Sequence, residues 1–294
     1  MKFSAICLLA AFLTAGVTQP LAAESFPELP SPETVLKQLL ETGELGDGLP
    51  ENVIHSFSQA ELEYLPRVLQ VNIQHREESS HYQHLQLPET TSTCREFLDE
   101  QRDTLQVICD AHGADPAILS AIWFTESRLG ENTGDYLVRD LFFTLTLLEE
   151  PEVIAWNIAS ACDSEPERDP EEVAETVRKR SQRKRKWALR ELNTLLGLYP
   201  ATELESLRGS WAGAAGIPQF LPSSIKGYGI DWNQDGIVNL HQFGDAAAST
   251  ANYLARNGWR QVTDEDQRRR AIWNYNHSQP YVDGVYYLYQ QLNQ

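Results

Sequence analysis

Residues 115–130 read DPAILSAIWFTESRLG, a helix with a single acid on its apolar face. Asp115 and Pro116 make the helix start, an N-cap followed by a first-turn proline. Leu119, Ile122 and Trp123 then recur at the spacing of one helix face, and Gly130 lies just beyond the end. Glu126 follows those three by seven, four and three residues, so it shares their face. Arg128 points elsewhere and leaves the carboxyl without a local cation. Apolar surroundings disfavour the charged form of a carboxyl, which is the bias a general acid near neutral pH needs. The plainer reading is a glutamate at the polar edge of the stripe, near the helix end.

Helical patterns extend to both sides. Upstream, Phe97, Leu98, Leu105, Ile108 and Cys109 predict a helix that stops at His112 and Gly113. Earlier still, Ser31, Pro32 and Glu33 open a short amphipathic helix carrying Val35, Leu36, Leu39 and Leu40. Ser58 and Glu61 read as a capping box before Leu62, Leu65 and Leu69, in a helix that Pro66 disturbs or shortens. Thr90 to Thr93 read as a linker. Downstream, residues 149–170 are rich in proline and acid and read as an acidic insertion. Asp169, Pro170, Glu171 and Glu172 start a helix that runs to about Leu196, ending before Gly197. Its eight basic side chains between Arg178 and Arg190 read as a solvated face or an anion-binding strip. Residues 209–245 are loop-like, and helices follow at 245–257, 265–275 and 281–292. Alternating strand patterns are few, so the fold class is mostly α.

The chain has 294 residues, 41 % hydrophobic and 10 % aromatic, enough for a packed core. Its 24 basic and 42 acidic side chains give a formal charge of −18. That balance repels a phosphate backbone and argues against nucleic acid as a partner. Residues 1–23 read as a signal peptide. Lys2 heads an apolar run from Ile6 to Val17, and small residues precede Glu24. An uncleaved anchor is the other reading, although the run is short for a span of about 20 apolar residues. Cleavage removes Lys2 and leaves −18 − 1 = −19. The expectation is an exported, periplasmic or extracellular protein, monomeric, with no stable membrane insertion once cleaved. Cys94, Cys109 and Cys162 then suggest one disulfide and one free thiol, with Cys94–Cys109 favoured.

Three further segments carry candidate chemistry. Residues 231–239 read DWNQDGIVN, with oxygen side chains at the first, third and fifth positions and glycine at the sixth. That is the first half of an EF-hand calcium loop. Gln242 stands where the usual glutamate would be, and Asp245 could reach the ion if the loop is longer. An Asn/Asp/Gly turn is the alternative. Residues 209–224 read GSWAGAAGIPQFLPSS, whose small residues allow close backbone approach and whose Ser210 and Gln219 offer hydrogen bonds. Residues 275–281 read YNHSQPY, aromatic and polar groups suited to sugar rings or to a helix–helix corner. Signatures of serine hydrolases and metalloproteases are missing.

The order FTESRLG (124–130), the 209–224 segment, the Asp231 loop and YNHSxxY resembles the membrane-bound lytic transglycosylase B family and its soluble relatives, over about residues 95–290. The resemblance implies a helical, lysozyme-like fold with an EF-hand-like calcium loop. It implies a lyase on peptidoglycan glycan strands, with Glu126 as sole acid and base. Ser210, Gln219, Phe220, Tyr275, Asn276 and Tyr281 would line the substrate groove, with Arg183 and Lys184 as its basic pair. Asp231, Asn233, Asp235, the Ile237 carbonyl and Asp245 would hold Ca²⁺ in a structural, non-catalytic role. Ala215 and Pro218 depart from the family's usual Met and Gly, which touches subsite affinity. Residues 24–90 fall outside the resemblance and form an N-terminal helical region, with the lysozyme-like domain at 91–294. A hydrolytic muramidase on the same fold and a non-catalytic glycan-binding protein are the alternatives.

Overall fold

The computed structural model describes residues 26–73, 79–259 and 264–294, so the expected signal peptide lies outside the described residues. Helices follow one another along the chain. They are α1 (Pro32–Glu41), α2 (Glu51–Ser58), α3 (Pro88–Glu100), α4 (Arg102–His112), α5 (Pro116–Ser127), α6 (Val138–Leu145) and α7 (Pro151–Ser164), then α8 (Pro170–Leu198), α9 (Ala201–Leu204), α10 (Pro222–Tyr228), α11 (Phe243–Leu254), α12 (Glu265–Tyr275) and α13 (Gln279–Leu292). Strand is confined, among the described residues, to Tyr136–Leu137 and Arg208–Gly209. The mostly helical expectation therefore holds. Two compact units divide these elements, and neither is continuous in sequence. A single cut near residue 90 does not describe them.

The first unit takes described residues 79–135, 208–259 and 264–294. Its central element is α5. Asp115 caps it, Oδ1 accepting the Ala117 N–H at 2.9 Å, with Pro116 in the first turn. The expected apolar stripe understates this helix, because every residue from Ala117 to Phe124 is buried. A helix apolar on all sides belongs inside a core. Trp123 packs against Phe97 and Phe243, and its Nε1 donates to Thr250 Oγ1 at 3.0 Å. The helix expected from Phe97 to His112 is two helices, α3 and α4, parted at Gln101. Thr90 to Thr93 lie inside α3 and are not a linker, since Pro88 supplies a first-turn start ahead of them.

The second unit takes described residues 26–73 and 136–207. Ser31 and Asp169 cap α1 and α8 as expected, accepting from the Thr34 and Glu171 backbone N–H groups. Ser58 does the reverse of its expected role: it ends α2, donating its hydroxyl to the His55 carbonyl. The acidic stretch after Glu149 folds as α7. Its Ala161, Ile158 and Cys162 pack with Val173 and Val177 of α8, so an apolar face hidden among the acids decides its structure. Gly197 sits within α8 rather than beyond it. A buried ion pair joins Arg139 Nε to Asp140 Oδ1 at 2.8 Å, and Arg139 Nη2 also donates to the Glu61 carbonyl.

The expected disulfide is not formed: Cys94, Cys109 and Cys162 are all free. Cys94 and Cys109 lie buried on separate helices, α3 and α4, and Cys162 belongs to the second unit. Burial pushes the Cys94 thiol up to about 11 and that of Cys109 to about 12. Both behave as small apolar core groups.

Candidate active site

Glu126, its partner Tyr281 and the 209–224 segment all belong to the first unit. The helix α5 ends one residue after it, in a turn with Arg128, Leu129 and Gly130 all at positive φ. Ser127 fixes that turn. Its hydroxyl donates to the Ile217 carbonyl at 2.7 Å and accepts the Gly130 N–H at 3.0 Å. The serine beside the acid is thus a tie between α5 and the 209–224 segment.

Glu126 is 7 % exposed. Its Oε1 accepts a hydrogen bond from the Tyr281 hydroxyl at 2.7 Å. Tyr281 is fully buried, and that burial, with the charge of Glu126 beside it, pushes its hydroxyl well above the ordinary tyrosine range. It therefore keeps its proton at any working pH and acts as a donor. Ser278 positions it by capping α13, accepting the Tyr281 N–H. Tyr82, from the short helix Ser79–Gln86, meets the Tyr281 ring edge-on at 5.7 Å. Sequence reasoning missed Tyr82; its neighbours are polar, and no local pattern marks it.

The 209–224 segment is a compact, buried loop. Ser210 is 7 % exposed, and its hydroxyl accepts the Ala214 N–H at 3.3 Å. Gln219 adopts a left-handed backbone (φ 53°). Its Nε2 holds it there by donating to the Gly216 and Thr133 carbonyls at 2.9 and 3.1 Å. Gly216 allows the close approach of Leu240, because a Cβ there would lie 2.4 Å from the Leu240 carbonyl oxygen. Ala215 is buried, paired with Gly209 and Phe220 by backbone bridges.

The expected aromatic lining needs correction. Phe220 is 1 % exposed and Tyr275 2 %. They stack with each other and with Tyr253 at centroid distances of 5.0–5.8 Å. Tyr275 also donates its hydroxyl to the Pro218 carbonyl. Both are props that hold α12 against the loop, and neither offers a ring face to a ligand. Asn276, in the turn between α12 and α13, is different. Its side-chain Nδ2 is buried and has no hydrogen-bond partner among the described residues. Arg183 belongs to the second unit, where it is exposed on α8 with its Nε directed to the Lys179 carbonyl.

In the Asp231 loop the carboxylates receive backbone N–H groups. Asp231 accepts from Asp235 and Gly236, Asp235 from Ile237, and Asp245 from Trp232 and Asn239. Asn233 donates to Asp235 and Gln242. Gln234 and Gly236 supply the positive φ of a tight turn. No ion pair reaches these aspartates among the described residues. No group of three acid, histidine or cysteine side chains converges there either, since both oxygens of Asp245 turn to backbone amides. The donor set itself, all oxygen with negative charge, suits a hard cation.

The first unit thus sets the buried Glu126 carboxyl against the buried Tyr281 hydroxyl. The family model described as the transglycosylase SLT domain matches residues 33–269, and the chain belongs to that family. Residues 33–90 thus lie inside the family match, although the sequence motifs fall outside them. Membrane-bound lytic murein transglycosylase B of Escherichia coli (strain K12) is 29 % identical over 166 residues, 55 % of this chain and 37 % of that protein. The match thus spans little more than a third of that relative. Among solved structures, Escherichia coli Slt35 in complex with calcium superposes with TM-score 0.63 at 20 % identity, over 90 % of this chain and 93 % of that one. Pseudomonas aeruginosa SltB3 in complex with NAG-anhNAM-pentapeptide gives 0.63 at 19 %, over 89 % and 78 %. These likenesses bear out a lysozyme-like transglycosylase fold.

Proposed function

We propose that the protein is a peptidoglycan lytic transglycosylase cleaving the β-1,4 bond between N-acetylmuramic acid and N-acetylglucosamine. The observation that carries this reading is the buried Glu126 with its Tyr281 donor. Glycosidases usually employ two carboxylates. Other carboxyls of the first unit have structural work: Asp115 accepts from Ala117 N–H and the Tyr289 hydroxyl, and the loop aspartates hold backbone amides. A single acid suits a route without water. Glu126 gives its proton to the glycosidic oxygen as that bond to C1 breaks, while the muramyl N-acetyl group stabilises the cationic centre. The resulting carboxylate takes the proton of the sugar's 6-hydroxyl, whose oxygen bonds to C1 and closes a 1,6-anhydro ring. That hydroxyl is already part of the substrate, an effective-molarity advantage. Tyr281 stabilises Glu126 in its ionised interval. Ser210, Gln219 and the unpartnered Asn276 amide serve as substrate-binding groups. SltB3, whose ligand carries an anhydro sugar, supports this product class.

Calcium belongs to the same reading, as a structural ion. Asp231, Asn233, Asp235 and the Ile237 carbonyl would hold it, with Asp245 bracing the loop or joining the shell. The ion would stiffen the loop that follows Gln219, and no proton passes through it. The reading also includes export to the compartment that holds peptidoglycan, and action as a monomer. No helix among the described residues is long and apolar enough to cross a membrane.

Mass spectrometry of digested peptidoglycan in ¹⁸O-labelled water tests the reaction. Anhydro ends without label are expected. Uptake of ¹⁸O at new reducing ends would make the protein a hydrolytic muramidase. Binding without any cleavage would make it a glycan-binding protein.

A further inference from the structure

We propose that Trp211 is a stacking platform for a pyranose ring of the glycan strand, a specificity-determining residue that the acid–base pair does not include. The inference rests on the reading of the chain as a peptidoglycan lyase.

Between Gly209 and Pro222 every residue is buried except Trp211, whose exposure is 38 %. The backbone around it is pinned. Ser210 N–H donates to the Ala214 carbonyl at 2.8 Å, Gly213 N–H to the Ser210 carbonyl at 2.9 Å, and Ala214 N–H to the Ser210 hydroxyl. The loop is in turn tied to α5 by Ser127 and to α12 by Tyr275. Beneath the turn the chain admits only small groups. Ala212, Ala214 and Ala215 are buried, and a Cβ on Gly134 would fall 2.2 Å from the Gly209 carbonyl oxygen. The indole has no room to fold inward, so its outward position is imposed by the loop.

The chain has seven tryptophans, and the other six have partners. Trp123 donates to Thr250, and Trp156, Trp187, Trp232, Trp259 and Trp273 each meet an aromatic or histidine ring. Trp211 has no ring, cation or hydrogen-bond partner among the described residues. A large apolar face held rigid toward water, next to Ser210, is a ligand contact made in advance at little entropic cost. Its chemistry matches a pyranose: the ring C–H face meets the indole plane, and the hydroxyl edge meets the indole N–H.

Three proteins test this: wild type, Trp211→Ala and Trp211→Phe. On isolated glycan strands, Trp211→Ala should raise KM about threefold to tenfold, with kcat within about twofold of wild type. Trp211→Phe keeps a ring face and should recover most of the loss. Sedimentation with insoluble peptidoglycan, in a Glu126→Gln background, should fall by the same factor for Trp211→Ala at unchanged Tm. Wild-type KM and wild-type sedimentation for Trp211→Ala overturn the platform. A wild type that binds sacculi but releases no anhydro product overturns the lyase reading; loss of sedimentation on Trp211→Ala still identifies the platform in that case.

Discussion

Glu126 and the Asp231–Asp245 loop are two carboxylate sites in one unit, and they are built in opposite ways. Glu126 is buried, and its hydrogen bond from Tyr281 comes from a hydroxyl that stays neutral. The loop acids accept backbone N–H groups, and those bonds are the turn. Glu126 has a side-chain hydroxyl, Tyr281, as a partner. A proton on Asp231 or Asp245 would loosen the backbone that it organises. The difference separates a carboxyl partnered by a side-chain hydroxyl from carboxyls that hold backbone shape, and each site can be tested for the property the other lacks.

The largest expected effect is on turnover. Glu126→Gln keeps the shape of the side chain and the Tyr281 contact but removes the transferable proton. Release of anhydro-muropeptides should fall at least about 10²-fold, the usual contribution of a general acid, while Tm stays near wild type. Near-normal turnover in a folded protein would end the assignment. Tyr281→Phe should come next. A hydrogen bond to a charged group contributes about 1.5–3 kcal/mol, so kcat should drop about 10- to 100-fold with KM little changed. A KM effect alone would make Tyr281 a packing residue.

The buried place of Glu126 on α5 was legible in the sequence because its signals are local. A capping aspartate, a first-turn proline and apolar spacing put Glu126 on a buried face. The caps at Ser31 and Asp169 were legible for the same reason. The donor geometry was not. Tyr281 meets Glu126 across 155 residues and Ser127 meets Ile217 across 90, and Tyr82 joins them from a polar stretch. Phe220 and Tyr275 read as sugar contacts because composition cannot separate a buried ring from an exposed one. Ser58 satisfied a capping pattern and still ended a helix, since Leu62 and Leu65 found no helical packing and the backbone N–H of Leu65 turned to Thr144. Where tertiary partners decide, local propensity yields.

Chelation tests the other side of the comparison. A bound ion at 100 times its Kd adds about 2.7 kcal/mol to stability. Removing calcium should lower Tm by the corresponding amount and leave the Glu126–Tyr281 contact in place. Asp235→Ala should lower Tm as well and make chelator irrelevant. If chelator does not move the wild-type Tm, the loop is a hydrogen-bonded turn and nothing more.

The smallest effect concerns a third kind of buried charge. Lys184, on α8 in the second unit, donates its Nζ to the Val68 carbonyl at 3.2 Å and has no salt bridge among the described residues. Burial depresses it from 10.5 to about 8. Below pH 8 both folded and unfolded chains carry the proton, and folding bears the full cost of burying it. Between about 8 and 10.5 the unfolded chain still binds the proton while the folded chain has released it, so stability rises with pH. Lys184→Met removes that cost, about 2 kcal/mol once the partial exposure of the side chain is counted. It also leaves Val68 without its donor, which takes back about 1 kcal/mol. The variant should therefore gain about 1 kcal/mol at pH 7, and the gain should fade as pH rises toward 10.5. Thermal melts of both proteins from pH 7 to 10.5 read this directly. A loss of stability at pH 7 would mean that the Val68 bond outweighs the buried charge, and that a lone carbonyl suffices to house an ammonium here.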